Sequence, residues 1–161
     1  MHQNPQMAAA RGIVQRLPGD AAPRPVVIDT NIVLDLLLFA DPSTAGVHAL
    51  LICGQLQWIA TRAMREELAC VLTYVHLQPH MQRQGKSAAQ LLAAFDAAVQ
   101  WQPPAAPAPW LCLDADDQKF IDLAAARRAI LLSKDKAVLR LRKKLATLDT
   151  IVASGISVTT Q

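Results

Sequence analysis

Four acidic residues stand where the pattern of this chain changes from strand-like to helix-like. Asp29 closes a short β-branched run and is followed by Thr30, Asn31 and an apolar stretch. Asp135 lies just past the apolar run at residues 129–133. Asp117 opens a helical segment, with Asp114 and Asp116 crowding the same turn, and Glu67 sits one turn into the segment that follows residues 56–60. Carboxylates at strand ends project from one rim of a parallel sheet, which is where open α/β folds bind ligands. Gathered there, they repel one another unless a hard cation neutralises them. An oxygen-only set with no His or Cys companion suits Mg²⁺ or Mn²⁺. Such an ion polarises a phosphoryl oxygen and lowers the pKa of a bound water, so the reaction class is metal-assisted phosphodiester hydrolysis. Each acid also has an ordinary structural reading: Asp114 or Asp116 as a helix cap, Asp117 as an acid favoured by the helix dipole, Glu66 and Glu67 as a solvated face. Singly the ordinary readings are the better ones, and it is convergence that favours a site.

The elements that must position these acids follow from the same pattern. Residues 25–29 read as a strand and 32–39 as a helix. Asp41-Pro42-Ser43-Thr44 punctuates the chain before a helix over 45–53 that Gly54 stops. A second strand spans 56–60, and Thr61 is placed to cap a helix over 64–77 that Pro79 ends or kinks. The spacing of Leu91, Leu92, Phe95, Ala98 and Val99 predicts a helix over 88–99 with a core-facing stripe. The proline-rich stretch 102–109 reads as a stiff extended connection. A helix over 117–127, a buried strand over 129–133, a basic helix and a last strand over 156–159 complete the chain. Strands alternating with helices imply right-handed crossovers and an α/β fold, a three-layer α/β/α sandwich around a central, mainly parallel sheet. Residues 1–24 read as a flexible tail, and 25–161 as one domain.

At 161 residues, one domain with its own core is the expectation. The longest apolar candidate, residues 26–39, is interrupted by Asp29 and Asp35, which argues against a membrane span. The first residues lack the continuous apolar core of a secretory signal, so a soluble, cytoplasmic chain is expected. Cys53, Cys70 and Cys112 are odd in number and form no CxxC pair, which predicts buried, reduced thiols. His76 and His80 have Pro79 between them and no adjacent Glu, and neither a glycine-rich phosphate loop nor a nucleophile elbow is present. The net charge of +3 permits an anionic partner without identifying one. Lys134, Lys136, Arg140, Arg142 and Lys143, with Arg127 and Arg128, could track an RNA backbone. A solvated helix face is an equal reading, because Leu139, Leu141 and Leu145 give that helix a buried side.

The strings VVIDTN at 26–31, EEL at 66–68, CLDADDQKFIDLA at 112–124 and LLSKD at 131–135 resemble the ordered acidic motifs of PIN domains. The resemblance covers residues 25–160 and is nearest to the branch containing toxin components of toxin–antitoxin systems. It implies a Mg²⁺- or Mn²⁺-dependent endoribonuclease in which Asp29, Glu67, Asp117 and Asp135 are catalytic and hold metal. Asp114 resembles an extra acid of this branch, and Asn31 and Ser133 match polar residues that support the metal-binding acids. RNA as substrate, an antitoxin protein as partner and a homodimer are further implications. Ala137 stands where many relatives carry another acid, Gln118 where the branch often has Asp, and Ala115 where it often has Pro. The missing acid at Ala137 keeps open an alternative, a PIN-like domain that binds RNA or protein with weak or no catalysis. An aspartyl-phosphate phosphatase is disfavoured, since Asn31 occupies the position where a second Asp would act.

Overall fold

The computed structural model describes Ile13–Val14 and residues 22–158. Strand β1 (Ile13–Val14) precedes β2 (Arg24–Ile28), α1 (Thr30–Leu37), a 3₁₀ turn at Pro42–Thr44, α2 (Ala45–Ile52), β3 (Leu56–Ala60) and α3 (Arg62–Val71). A second 3₁₀ turn at Val75–Leu77 leads into α4 (Gln78–Gln84), α5 (Ala88–Ala98) and β4 (Gln100–Trp101). A third, at Ala115–Asp117, opens α6 (Gln118–Arg127), followed by β5 (Ile130–Leu132), α7 (Lys136–Leu139), α8 (Arg142–Ala146), β6 (Ile151–Ala153) and β7 (Ile156–Ser157).

Five strands form an all-parallel sheet in the order β4-β3-β2-β5-β6, flanked by helices, which is the three-layer sandwich that the alternating pattern implies. Helices on the faces explain why residues 26–28 and 130–132, at the centre of the sheet, are apolar in succession rather than alternating. Val26, Val27, Ile130, Leu131 and Leu132 have no exposed surface. Each such side chain contributes about 1.5–3 kcal/mol by leaving water. From β2 the chain works outward through β3 to β4, then returns to the other side of β2 as β5. The strand order therefore reverses between β2 and β5. Their register pairs Val26 with Ile130 and Ile28 with Leu132, so the next residues, Asp29 and Ser133, leave the sheet side by side.

Several elements differ from the sequence expectations, each for a local reason. The helix expected over 64–77 stops at Val71, and α4 is a separate helix. Thr73 Oγ1 donates to Cys70 O at 2.6 Å, and Gln78 Nε2 donates to the carbonyls of Leu72 and Tyr74, so side chains serve carbonyls at the end of α3 and in the turn that follows it. Pro79 then sits in the first turn of α4, where its missing N–H removes no helical bond. The basic segment folds as two short helices, α7 and α8, with Leu141 and Leu145 buried. Strands β4 and β6, two and three residues long, extend the sheet at its two edges. On α5, Leu91 and Phe95 are buried but Ala98 is exposed.

The expected last strand is shorter, and β7 lies outside the central sheet, paired in parallel with β1. Part of the stretch read as a tail thus forms β1, and Arg24 opens β2; its other residues up to 21, and Thr159, lie outside the described residues. The contact between α2 and β7 requires Gly46: a Cβ there would lie 2.1 Å from the carbonyl oxygen of Ile156. The expected buried thiols are a correction. All three cysteines are free, but Cys53 and Cys70 are exposed and Cys112 half-buried. Cys53 caps the end of α2, and on α3 the core positions belong to Met64 and Leu68. Among the described residues, no single helix is long and apolar enough to cross a membrane.

Candidate active site

The strand-order reversal places Asp29 at the mouth of the crevice between β2 and β5. Asp29 precedes α1 but makes no side-chain capping bond to it. Its carboxylate is engaged elsewhere: Ser133 Oγ donates to Oδ2 at 2.7 Å. Ser133 is fully buried, and the same Oγ accepts from the Asp135 amide at 3.1 Å. One hydroxyl therefore joins the acid ending β2 to the acid following β5. Asp135 in turn caps α7 by accepting from the Ala137 amide at 2.9 Å, and Asp114 caps the third 3₁₀ turn by accepting from the Asp116 amide at 3.0 Å. The ordinary capping role thus applies to Asp114 and Asp135, and to neither Asp29 nor Asp117.

Asp117 is 7 % exposed, and its Oδ2 has no hydrogen-bond partner, a condition shared among the described residues only with Thr61 Oγ1. Burial pushes its carboxyl up to about 8, helped by a side-chain hydrogen bond with Asp135 and by the negative charges of Asp29, Asp135 and Asp114. Asp29 is also raised, chiefly by burial, with Ser133 opposing and Glu67 and Asp135 adding. Asp114, Asp117 and Asp135 each bring a carboxylate oxygen within 4.8 Å of the others. Oxygen ligands about 2.0–2.6 Å from one ion lie at most about 5 Å apart, so this trio fits a hard divalent cation. The unpartnered, buried oxygen of Asp117 is the feature such a cation would satisfy.

Asp29 and Glu67 lie outside that trio. Thr30 Oγ1 donates to Glu67 Oε2, and Lys119 Nζ is 2.8 Å from Oε1. Asn31 is exposed in the first turn of α1. Lys134 and Lys136 are exposed on either side of Asp135, and Lys134 pairs with Asp35. Arg140 and Lys143 are exposed and Arg142 half-buried on the following α7 and α8 segment. Arg127 and Arg128 precede β5, which puts them at the opposite end of the sheet from Asp135, apart from the basic stretch with which the sequence groups them.

Residue pairings that sequence reasoning missed complete the site. Gln118 accepts from the Cys112 amide at 2.6 Å and donates to Trp110 O at 3.2 Å, while Asp122 accepts from the Ala108 amide and from Gln118, both at 2.8 Å. These two side chains, one turn apart on α6, pin the loop that delivers Asp114. Their i, i+4 spacing was the available signal. Thr30 and Lys119 had no such signal, because their shared partner Glu67 is distant in sequence.

Acids gathered at the point of strand-order reversal of a three-layer α/β/α domain form a candidate cation site. A family model described as PIN domain matches residues 25–137, more than half of the chain. The chain belongs to the PIN domain family, whose members are generally nucleases. No curated protein matches it.

The raised acids carry a prediction. Asp117 has a carboxyl at about 8 when folded against an ordinary value of 3.8, so between those values the folded chain holds a proton that the unfolded chain has released. That stabilising contribution is full below about pH 4 and is lost as pH rises through 8. In EDTA, the melting temperature should fall from pH 5.5 to 8.5. Added Mn²⁺ should raise it most at pH 8.5, by roughly 2.7 kcal/mol of stability at 100 times its dissociation constant. A melting temperature that is flat or rising over this range in EDTA would contradict the account of Asp117.

Proposed function

We propose that this chain is a Mg²⁺- or Mn²⁺-dependent endoribonuclease that hydrolyses RNA phosphodiester bonds. The observation that carries the reading is the buried, unpartnered Asp117 oxygen among like-charged acids at the sheet's reversal point. Asp114, Asp117 and Asp135 would hold the ion, with Asp29 completing the set from the end of β2 and Glu67 at the far side. When bound, the ion supplies polarisation of the phosphoryl oxygen and an acidified water as nucleophile.

The chain's own groups do the rest. Ser133 fixes Asp29 and the Asp135 amide in one arrangement, so the acids are aligned before substrate arrives. Asp117 would give up its proton to solvent once a cation is held beside it. Lys134 and Lys136, exposed on either side of Asp135, suit the phosphates flanking the cleaved bond. The ordered motifs further support a toxin of a toxin–antitoxin pair, working in the cytoplasm as a homodimer and held in check by an antitoxin protein. A second reading, an RNA- or protein-binding domain with weak catalysis, draws on one observation: position 137 gives Asp135 a backbone amide and no carboxylate.

The test is an RNA and a DNA of matched sequence, single-stranded and hairpin, incubated with the purified chain and Mn²⁺. Internal cleavage of the RNA, with the DNA left intact, is the expected result. Equal cleavage of both would make the enzyme a general nuclease, and cleavage of neither by folded protein would favour the binding reading.

A further inference from the structure

Glu67 is the one acid of the expected set whose charge the chain already balances. Thr30 Oγ1 occupies Oε2, and the Lys119 ammonium lies 2.8 Å from Oε1. Both members of this ion pair have side chains only 25 % exposed, so solvent screens it less than a surface pair. Lys119 is held from two further directions: its Nζ donates to Asp116 O and lies 4.9 Å from the centre of the Phe120 ring. An ammonium tethered in this way acts at a high effective concentration, which a dissolved cation must exceed to take its place. The contrast lies in the same crevice, where Asp117 Oδ2 has no partner. Nor does the far side of the site offer additional charge, since α7 has no acid in its first turn.

We propose that Lys119 stands in for a second metal ion: by holding Glu67 it restricts the site to one divalent cation, on the Asp117–Asp135 side. The inference rests on the reading of these acids as a cation site. Lys119 is accordingly a positioning residue, which sets the metal count without touching the reacting phosphate. Removing its charge leaves Glu67 half-buried and uncompensated, and a second divalent ion, lying between Glu67 and Asp29, answers that need.

The experiment counts bound Mn²⁺ from the electron paramagnetic resonance signal of the free ion, with circular dichroism melts confirming that each variant is folded. The wild type should bind one equivalent. Lys119→Met, which keeps an unbranched stem and removes the charge, should bind two. Lys119→Arg should return to one, and so should the double variant Lys119→Met with Glu67→Gln, because the second ion's ligand is then gone. One equivalent in both wild type and Lys119→Met would overturn the inference, as would two in the wild type, while the cation site itself would stand. Two equivalents in the double variant would likewise overturn it, by placing the second ion away from Glu67. No binding to any of these proteins would overturn the cation site, and the role of Lys119 with it.

Discussion

Replacing Asp117 with Asn should lower RNA cleavage by at least about 10²-fold and, in the same protein, raise the metal-free melting temperature. The two effects have one cause. The amide preserves the size of the side chain and its hydrogen-bonding edge toward Asp135, but it carries no charge. The metal-free fold then loses a buried carboxyl that Asp29, Asp135 and Asp114 help to hold up near 8. It should gain on the order of 1 kcal/mol or more at pH 8, and its stability should depend less on pH. The cation loses its buried ligand. Removal of residues that merely orient metal ligands typically costs 10–100-fold, so loss of the ligand itself should cost at least the upper end of that range. Thermal melts in EDTA and initial rates in Mn²⁺ check both halves. A variant that is less stable at pH 8 and still active would show Asp117 to be a structural acid.

Ser133→Ala has the next largest expected effect, because that hydroxyl bonds two ways at once. It donates to Asp29 and accepts from the Asp135 amide, in a place with no exposed surface. Alanine leaves Asp29 Oδ2 without its side-chain donor and the Asp135 amide without its acceptor. Leaving buried groups unpaired costs about 1–3 kcal/mol each, more where a charge is involved. Cleavage should fall by about 10–100-fold, the range for residues that orient metal ligands. Ser133→Thr, which keeps the hydroxyl, should recover part of the loss if its methyl can be packed. A Ser133→Ala protein with wild-type rate and stability would mean that Asp29 is aligned by something else.

The parts of the fold that were legible in the sequence are those with one simple cause. Residues 26–28 of β2, 58–60 of β3 and all of β5 are buried, so burial writes them as short apolar runs, and the acids just beyond two of them mark the rim. The α5 start was legible too: Ser87 and Gln90 form a capping box. Strands β4 and β6 were not, because two or three residues are too few to show any period. The break after Val71 was hidden because it depends on which carbonyls Thr73 and Gln78 reach, a matter of geometry and not of composition. At the site, residue types were readable and pairings were not. Ser133 meets Asp29 only because β2 and β5 are neighbours in register, and Lys119 meets Glu67 across 52 positions of chain. The outward-facing Cys53 and Cys70 show the opposite limit: an apolar residue type predicts burial on average, yet a helix has an outer side.

The most direct test of the central claim is the cleavage rate of a labelled RNA in Mn²⁺ and in EDTA, for the wild type beside Asp29→Asn. The amide oxygen of that variant would still accept a hydrogen bond from Ser133, so the fold and the crevice should persist while one negative charge is lost. Cleavage by the wild type in Mn²⁺, none in EDTA, and a loss of at least about 10²-fold in Asp29→Asn are the expected results. Cleavage that persists in EDTA, or that Asp29→Asn retains in full, would contradict the assignment of hydrolysis to a cation held by these carboxylates.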